Sequence, residues 1–588
     1  MANFLDKLKI NTAVTDRTKL DLTSDHISTA NFMQFNVAWS KELVPGEKIE
    51  MNMETFTRLA PMPVPTFGRA RINNRAFFVP FRTIFPGWND FITDTRHSFA
   101  TGTAYTINFV PRINANRIYK ILNDELLGVT TPDTEVSVSY VDMEDNDLVL
   151  TAKGRQYVKI LQSLGYNWLW TSTDDLSLAA MEDVYVSALP LLATAKVYYD
   201  WYYPSAYVQD AIAEEVAAIF NRDDEVDYVL SDVDVANLLR FLGSVNYDSD
   251  YFVASWENPV GPNGGSFSGA QLPDITFENS LRQPHVTVDP DSNGTPSLNL
   301  FSSLTQYGID ALKSLTDYMK RHQLVGARAL DRYLSRFGIQ LSAEKLKRSV
   351  YIGTTSDDIQ FGDVTATADT AGAPLGDYAG KGIGYGSSGF EFETDEYGIM
   401  IVVSTILPKT GYYQGIDRNT MHCGRLDYWT PEFDNLGTQA IAKGELYMPT
   451  SYNALVNETD FATPRALNEG VFGWTPRYAE YKIGRDRLTG DFRYGQINTG
   501  MDSWHTMRQV GYDNVDDIVQ NQYFVTGSDA DQYSRIFYNT NAESADKFNV
   551  IYHFNVVSYS PMKALWDTYE FEDKGRQVTM NANGVKMN

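Results

Sequence analysis

The sequence predicts a mainly-β protein of the sandwich or jelly-roll type. Strand-like stretches lie near both ends of the chain with long insertions between them, and Tyr (36) and Phe (31) are abundant. Aromatic rings favour pleated, half-buried surfaces. A doubly wound α/β sheet would instead alternate strands and helices along its length.

Residues 1–30 are polar and weakly patterned, with Lys7, Lys9, Arg17 and Lys19 among short side chains, and read as an extended arm. Residues 31–588 then read as a single domain with insertions. Ile49, Met51 and Met53 alternate with Glu50, Asn52 and Glu54, the period of a strand with one buried face. Residues 60–91 mix five prolines with six Phe and one Trp. Proline lacks a backbone N–H, so this segment is expected to be a packed loop and edge rather than a central strand.

Residues 98–180 carry short pieces of ambiguous type and form one insertion. A helix is expected over roughly 178–200, interrupted or restarted at Pro190. Residues 209–258 hold twelve Asp and Glu against Arg222 and Arg240, a net −10, and 258–269 reads as a loop by its Gly, Pro and Asn content. The wider stretch 205–300 is the second insertion.

Apolar stripes at Ile309, Leu312, Leu315 and Met319, and at Leu330, Tyr333, Leu334 and Phe337, predict two helices over 308–338. The overlapping stretch 313–348 carries +6, so charge is segregated along the chain. Residues 371–389 read as a Gly-rich loop. "YGIMIVVSTILP" (397–408) reads as a buried strand, and "VIYHFNVVSYSPM" (550–562) as a strand with alternating faces.

The net charge of −26 argues against a protein that coats nucleic acid by its overall charge; any such contact must be local or helped by a basic partner. One cysteine, Cys423, excludes an internal disulfide and a cysteine-based zinc cluster. No apolar stretch approaches the length of a membrane span, and the N-terminus lacks the apolar core of a signal peptide. A soluble intracellular product is therefore expected.

Catalytic and cofactor motifs are weak. Gly384-Tyr385-Gly386-Ser387-Ser388-Gly389 satisfies GxGxxG, but a strand-like run follows it where pyrophosphate binding needs a helix N-terminus. His422 and Cys423 are adjacent, so their side chains diverge rather than pair as nucleophile and base. Asp232-Val-Asp234 and Asp248-Ser-Asp250 could offer oxygens to a hard cation, but in an acidic run they read as a solvated face. No metal site, cofactor or catalytic residue is expected.

The basic segments carry more. Lys345, Lys347 and Arg348 cluster after the second predicted helix. Arg477, Lys482, Arg485, Arg487 and Arg493 interleave with Tyr478, Tyr481, Phe492 and Tyr494. Cations pair with phosphates while aromatic faces stack on unpaired bases. Lys345, Lys347, Arg348, Arg485, Arg487 and Arg493 are thus candidates for contact with a nucleic acid; the competing reading is ion pairing with neighbouring acidic subunits.

"PTFGRARINNRAFFVPFRTIFPGWNDFI" (65–92), "YVSALPLLATAKVYYDWYY" (185–203) and "RYLSRFGIQLSAEKLKRSVYIG" (332–353) resemble blocks of the major capsid proteins of microviruses. So do "GYYQGIDRNTMHCGRLDYWTPEFDNLGTQAIAKGELY" (411–447) and "FGWTPRYAEYKIGRDRLTGDFR" (472–493), followed by Trp504-His505. The blocks keep the family's order and span most of the chain, and they look nearer the gokushovirus-like branch. Tyr397 before Gly398, where many relatives carry His, departs from the pattern.

The resemblance implies an eight-stranded antiparallel jelly roll with long loop and helical insertions. It also implies a non-catalytic capsid protein that self-assembles into a T=1 icosahedral shell around circular single-stranded DNA. Implied partners are further copies of the chain, a small basic DNA-binding protein, an internal scaffolding protein and a pilot protein. Implied locations are the virion and, during assembly, the host cytoplasm. The 205–300 stretch is the candidate surface protrusion, with 98–180 a second choice. The rival reading from the residues alone is a β-sandwich carbohydrate-binding protein or glycoside hydrolase, which needs two carboxylates about 5–10 Å apart in a cleft.

Overall fold

The computed structural model describes residues 17–93, 109–115, 152–166, 184–203, 211–222, 229–255, 288–290, 296–298, 347–365, 378–425, 427–434, 438–447, 470–493, 501–510, 527–538, 546–562, 579–580 and 586–587. The expected helices over 308–338, and Lys345, lie outside the described residues. Strands in chain order are β1 (Thr18–Asp21), β2 (Ser24–Ala30), β3 (Asn36–Leu43), β4 (Glu47–Leu59), β5 (Arg69–Pro80), β6 (Arg112–Asn114), β7 (Tyr185–Ser187) and β8 (Val288–Pro290). They continue with β9 (Pro296–Leu298), β10 (Val350–Thr365), β11 (Tyr378–Thr394), β12 (Gly398–Pro408), β13 (Thr438–Ala442), β14 (Val471–Pro476) and β15 (Phe548–Ser560).

The main sheet runs β1-β15-β4-β11-β10-β5-β12-β3, with β2 also paired to β15, and every pairing in it is antiparallel. It folds back on itself between β10 and β11. Those strands pair only from Gln360 with Ile383 to Thr365 with Tyr378. Beyond Gln360, β10 pairs with β5, whereas β11 pairs with β4. The two halves then face each other. Tyr552 Oη on β15 donates to Ser404 Oγ on β12 at 2.9 Å, and Asn74 Nδ2 on β5 donates to Thr55 Oγ1 on β4 at 3.2 Å, both bonds buried. Phe78 and Phe392 meet across the gap at 5.0 Å. His26 Nδ1 reaches the Ala38 carbonyl at 2.7 Å, which links the two outer edges. The fold is a mainly-β antiparallel sandwich.

Periodicity explains the halves. Phe548, Val550, Tyr552, Phe554 and Val556 all point into the sandwich from β15, and Ile49, Met51 and Met53 do so from β4. β12 is buried along its whole length because both of its faces are covered, as its unbroken apolar run requires. Over its outer face and those of β5 and β3 lie helices at Ala152–Ser163 and Leu189–Val197, and helices at Ala211–Phe220 and Asp232–Phe241 pack on the second of these. Phe77 meets Trp201 at 5.6 Å, and Phe35 meets Tyr198 at 5.3 Å.

Three expectations change here. Residues 69–80 form a central strand rather than an edge, because the prolines at 61, 63, 65 and 80 bracket a proline-free run instead of interrupting it. Residues 378–389 belong to β11 rather than to a loop. Gly384 and Gly386 follow the point where the sheet divides, and there Ile359 and Asp357 of β10 lie where a Cβ would stand. Glycine is required for that close approach. The helix begins at Leu189, after β7, with Pro190 in its first turn, where the missing N–H costs nothing.

The described part of the acidic stretch also packs inward. Val216, Val235, Leu238, Leu239 and Phe241 are buried against the sheet-covering helices, and only the opposite helix faces carry their carboxylates to solvent. Asp234 is not part of a free solvated pair. It completes a capping box with Ser231 and pairs with Arg222 at 3.3 Å.

Candidate nucleic-acid interface

The insertions between β12 and β15 build a lobe with two clefts. The first, of about 310 Å³, is lined by residues from 250–252, 410–420 and 483–489, including Arg485 and Arg487. At its base Glu445 has no exposed side-chain surface and accepts four hydrogen bonds. Arg418 Nη1 (2.7 Å) and Ala442 N (3.1 Å) donate to one oxygen, Arg485 Nη2 (3.0 Å) and the Tyr251 hydroxyl (3.1 Å) to the other. The Arg485 guanidinium also lies 4.1 Å from the Tyr251 ring centroid.

Beside it, Asp250 accepts from Phe252 N (2.9 Å), Val253 N (2.8 Å) and the Tyr412 hydroxyl (2.7 Å). Burial pushes the Asp250 carboxyl up from its ordinary range, against the pull of those bonds. It pushes the Tyr412 hydroxyl well up too, reinforced by Asp250. Asp250 is thus a turn-forming internal group, not the solvated residue its acidic neighbourhood implied. Glu445 and Asp250 are saturated by donors, so neither serves the cleft as the free acid or base a hydrolase would need. Among the described residues no group of three or more His, Cys, Asp or Glu is placed to hold a metal ion.

The sequence candidates separate into two sets. Arg348 lies 3.7 Å over the Trp201 ring and donates to the Asp200 carbonyl at 3.1 Å. Ser349, next to it, gives Asp200 two hydrogen bonds, at 2.8 Å from N and 2.9 Å from Oγ, while Lys196 pairs with Asp200 at 3.1 Å. Arg348 and Arg485 therefore bind elements of this chain together. Arg487 is 77% exposed with Asp417 at 3.2 Å, a pair weakened by solvent. Lys347 and Arg493 are exposed. The carboxylates that meet Arg485 and Arg487, those of Glu445 and Asp417, come from the same chain.

A second cleft of about 390 Å³ was not anticipated. Thr66, Phe67, Gly68, Arg69, Phe361, Lys409, Asp486, Thr506 and Met507 line it. His505 holds its rim: Nε2 donates to the Phe492 carbonyl at 3.1 Å, and Nδ1 accepts from Met507 N at 3.3 Å. Burial, helped by Arg535, depresses His505 to about 4, so the ring is neutral near pH 7.

An exposed apolar patch lies on the same lobe. His422 stacks on Tyr481 at 5.6 Å and meets Tyr428 at 5.7 Å. Tyr428, Tyr481 and the adjoining Met421 and Trp429 are all largely exposed. Groups of large apolar side chains left in solvent mark surfaces that another protein covers.

The family described as "Capsid protein (F protein)" of phages matches residues 8–118 and 171–568, most of the chain. The chain belongs to this capsid family. It is 22% identical over 541 residues to capsid protein VP1 of Chlamydia phage 1, covering 84% of this chain and 87% of that protein. It is 24% identical over 534 residues to capsid protein VP1 of Bdellovibrio phage phiMH2K, covering 84% of this chain and 85% of that one. Membership assigns a structural, non-enzymatic role in the virion. Among the described residues no helix is long and apolar enough to cross a membrane.

Proposed function

We propose that the chain is the major capsid protein of a microvirus. In this reading sixty copies close a T=1 shell around circular single-stranded DNA. The observation that carries the reading is the strand pairing. With β1 and β2 counted as one strand interrupted at Leu22 and Thr23, the main sheet has eight strands among the described residues: β1/β2, β3, β4, β5, β10, β11, β12 and β15. The first pairs with the eighth, the second with the seventh, the third with the sixth and the fourth with the fifth. That pairing is the one expected of a long antiparallel hairpin rolled up on itself, which supports the eight-stranded jelly roll of capsid proteins. The Met421, Tyr428, Trp429 and Tyr481 patch supplies an apolar subunit contact, as a ring-closing heterologous interface requires.

A surface of net charge −26 repels DNA, so a small basic DNA-binding protein compensates the genome, and exposed cations such as Lys347, Arg487 and Arg493 add local contacts. An internal scaffolding protein and a pilot protein complete the assembly, as they do in this family. The candidate surface protrusion is the acidic 205–300 stretch, with 98–180 the second choice. Purified particles treated with nuclease, then opened, test the reading: protected DNA sensitive to a single-strand nuclease supports it. Shells empty in every preparation that includes the viral partners overturn it.

A further inference from the structure

The second cleft combines features that its neighbours lack. Phe67 is 67% exposed, yet its position is fixed. Its backbone N donates to the Trp504 carbonyl at 2.6 Å, and Thr66 Oγ1 donates to the Ser503 carbonyl at 2.8 Å. The Phe67 ring stacks on Trp504 with an interplanar angle of 26° at 6.3 Å, and Phe492 buttresses it edge-on at 5.9 Å. One ring system is held rigid by another, with the outermost ring in solvent.

Two cations line the cleft beside this platform, and a third adjoins it in sequence. Arg69 and Lys409 line the cleft, their strands tied together by Lys409 N donating to the Arg69 carbonyl at 2.8 Å, and Arg493 directly follows Phe492. All three are exposed. Among the described residues none has a carboxylate partner, whereas Arg71, two positions along β5, pairs with Asp358 at 3.4 Å. In a chain with far more acids than bases, three unneutralised cations beside a rigid exposed ring are a local exception. Asp486 also lines the cleft; it opposes phosphate but accepts an N–H from a base.

We infer that this cleft holds one unpaired nucleotide of single-stranded DNA, its base stacked on Phe67 and its phosphate held by Arg69, Lys409 and Arg493. The inference rests on the genome-enclosing reading above and adds to it a site drawn from segments far apart in sequence. Stacking tolerates any base, and the three cations recognise only the backbone, so the site is indifferent to sequence. That is the property a coat needs against an arbitrary genome.

The test uses the full chain in two forms, unassembled protein and purified particles, with an oligothymidylate as the probe. Phe67→Ala is expected to weaken oligothymidylate binding by the unassembled chain about fivefold or more, and Phe67→Trp to restore it. Arg69→Ala with Lys409→Ala is expected to reduce the slope of log affinity against log salt by about 1.4, two released counterions' worth for a single strand. Equal affinity for parent and Phe67→Ala, with the salt slope unmoved in the double variant, overturns the site. If shells of Phe67→Ala then fail to form while oligothymidylate binding is unchanged, the face belongs to a second copy of the chain. If the parent binds no oligothymidylate and its shells hold no DNA, the genome-enclosing reading itself falls. Parent shells that hold DNA, with Phe67→Ala shells holding as much and binding the probe as well, remove only this site.

Discussion

Glu445→Gln keeps the volume of the side chain and removes its charge, so it isolates the ion cluster beneath the first cleft. The carboxylate has two oxygens, each taking one guanidinium and one neutral donor. A glutamine has one oxygen. Whichever way the amide turns, either Arg418 with Ala442 N or Arg485 with the Tyr251 hydroxyl faces an N–H instead of an acceptor. Removing one member of a buried ion pair costs about 3–5 kcal/mol, because the remaining charge stays desolvated. The arginine side chains are 24% and 18% exposed, which lets water relieve part of that penalty. The expected loss is therefore about 3 kcal/mol, at the low end of the range. Equilibrium denaturation of the unassembled chain reads it. Combining Glu445→Gln with Arg485→Met should cost at least about 1 kcal/mol less than the sum of the single changes, since the groups share one network. A Glu445→Gln variant within about 0.5 kcal/mol of the parent, or strict additivity in the double variant, would refute the assignment of Arg485 to an internal structural role.

Gly415→Ala should lose about 1–3 kcal/mol by denaturation, because the Glu445 carbonyl and Leu446 N occupy the space a Cβ would need and backbone cannot step aside. Tyr552→Phe should cost about 1 kcal/mol by removing the 2.9 Å bond to Ser404 that joins the two halves of the sandwich, with assembly unchanged in geometry. His505, depressed from 6.5 to about 4, binds no proton in the folded chain across a window where the unfolded chain does. Stability present at neutral pH is therefore lost as pH falls from about 6.5 to about 4, by roughly 2–3 kcal/mol in all, and levels off below. His505→Gln should flatten that part of the stability profile by one proton; an unchanged slope would place the pH dependence elsewhere.

What the sequence disclosed follows from the range of the interactions. β4 and β15 were legible because each buries one face and alternates with period two, and β12 because both faces are covered and its apolar run is unbroken. β5 was hidden by the prolines on either side of it, whose effect is local, while its role as a central strand depends on β10 and β12 far along the chain. The glycines of β11 suggested a loop for a similar reason: what requires them is the approach of Ile359 and Asp357, and no window on β11 contains those residues.

The site was read less completely. Basic and aromatic interleaving over 477–494 points to the lobe that carries the two clefts, yet it does not tell Arg485, which reaches Glu445 and Tyr251, from exposed Arg493. Phe67 drew attention only as one aromatic among many, since Trp504, Phe492 and Lys409 join it through folding alone. Phe67 beside Gly68 and Arg69, an exposed ring next to a cation at a strand start, was the available signal.

The most direct test of the central claim is the mass and image of particles formed by the full chain with its viral partners. A closed shell of sixty 66.3 kDa chains contributes about 4 MDa of protein. The account predicts such shells in cryo-electron microscopy, with Met421, Tyr428, Trp429 and Tyr481 covered at subunit contacts. Particles of another copy number, or only small oligomers with that patch still in solvent, would contradict it.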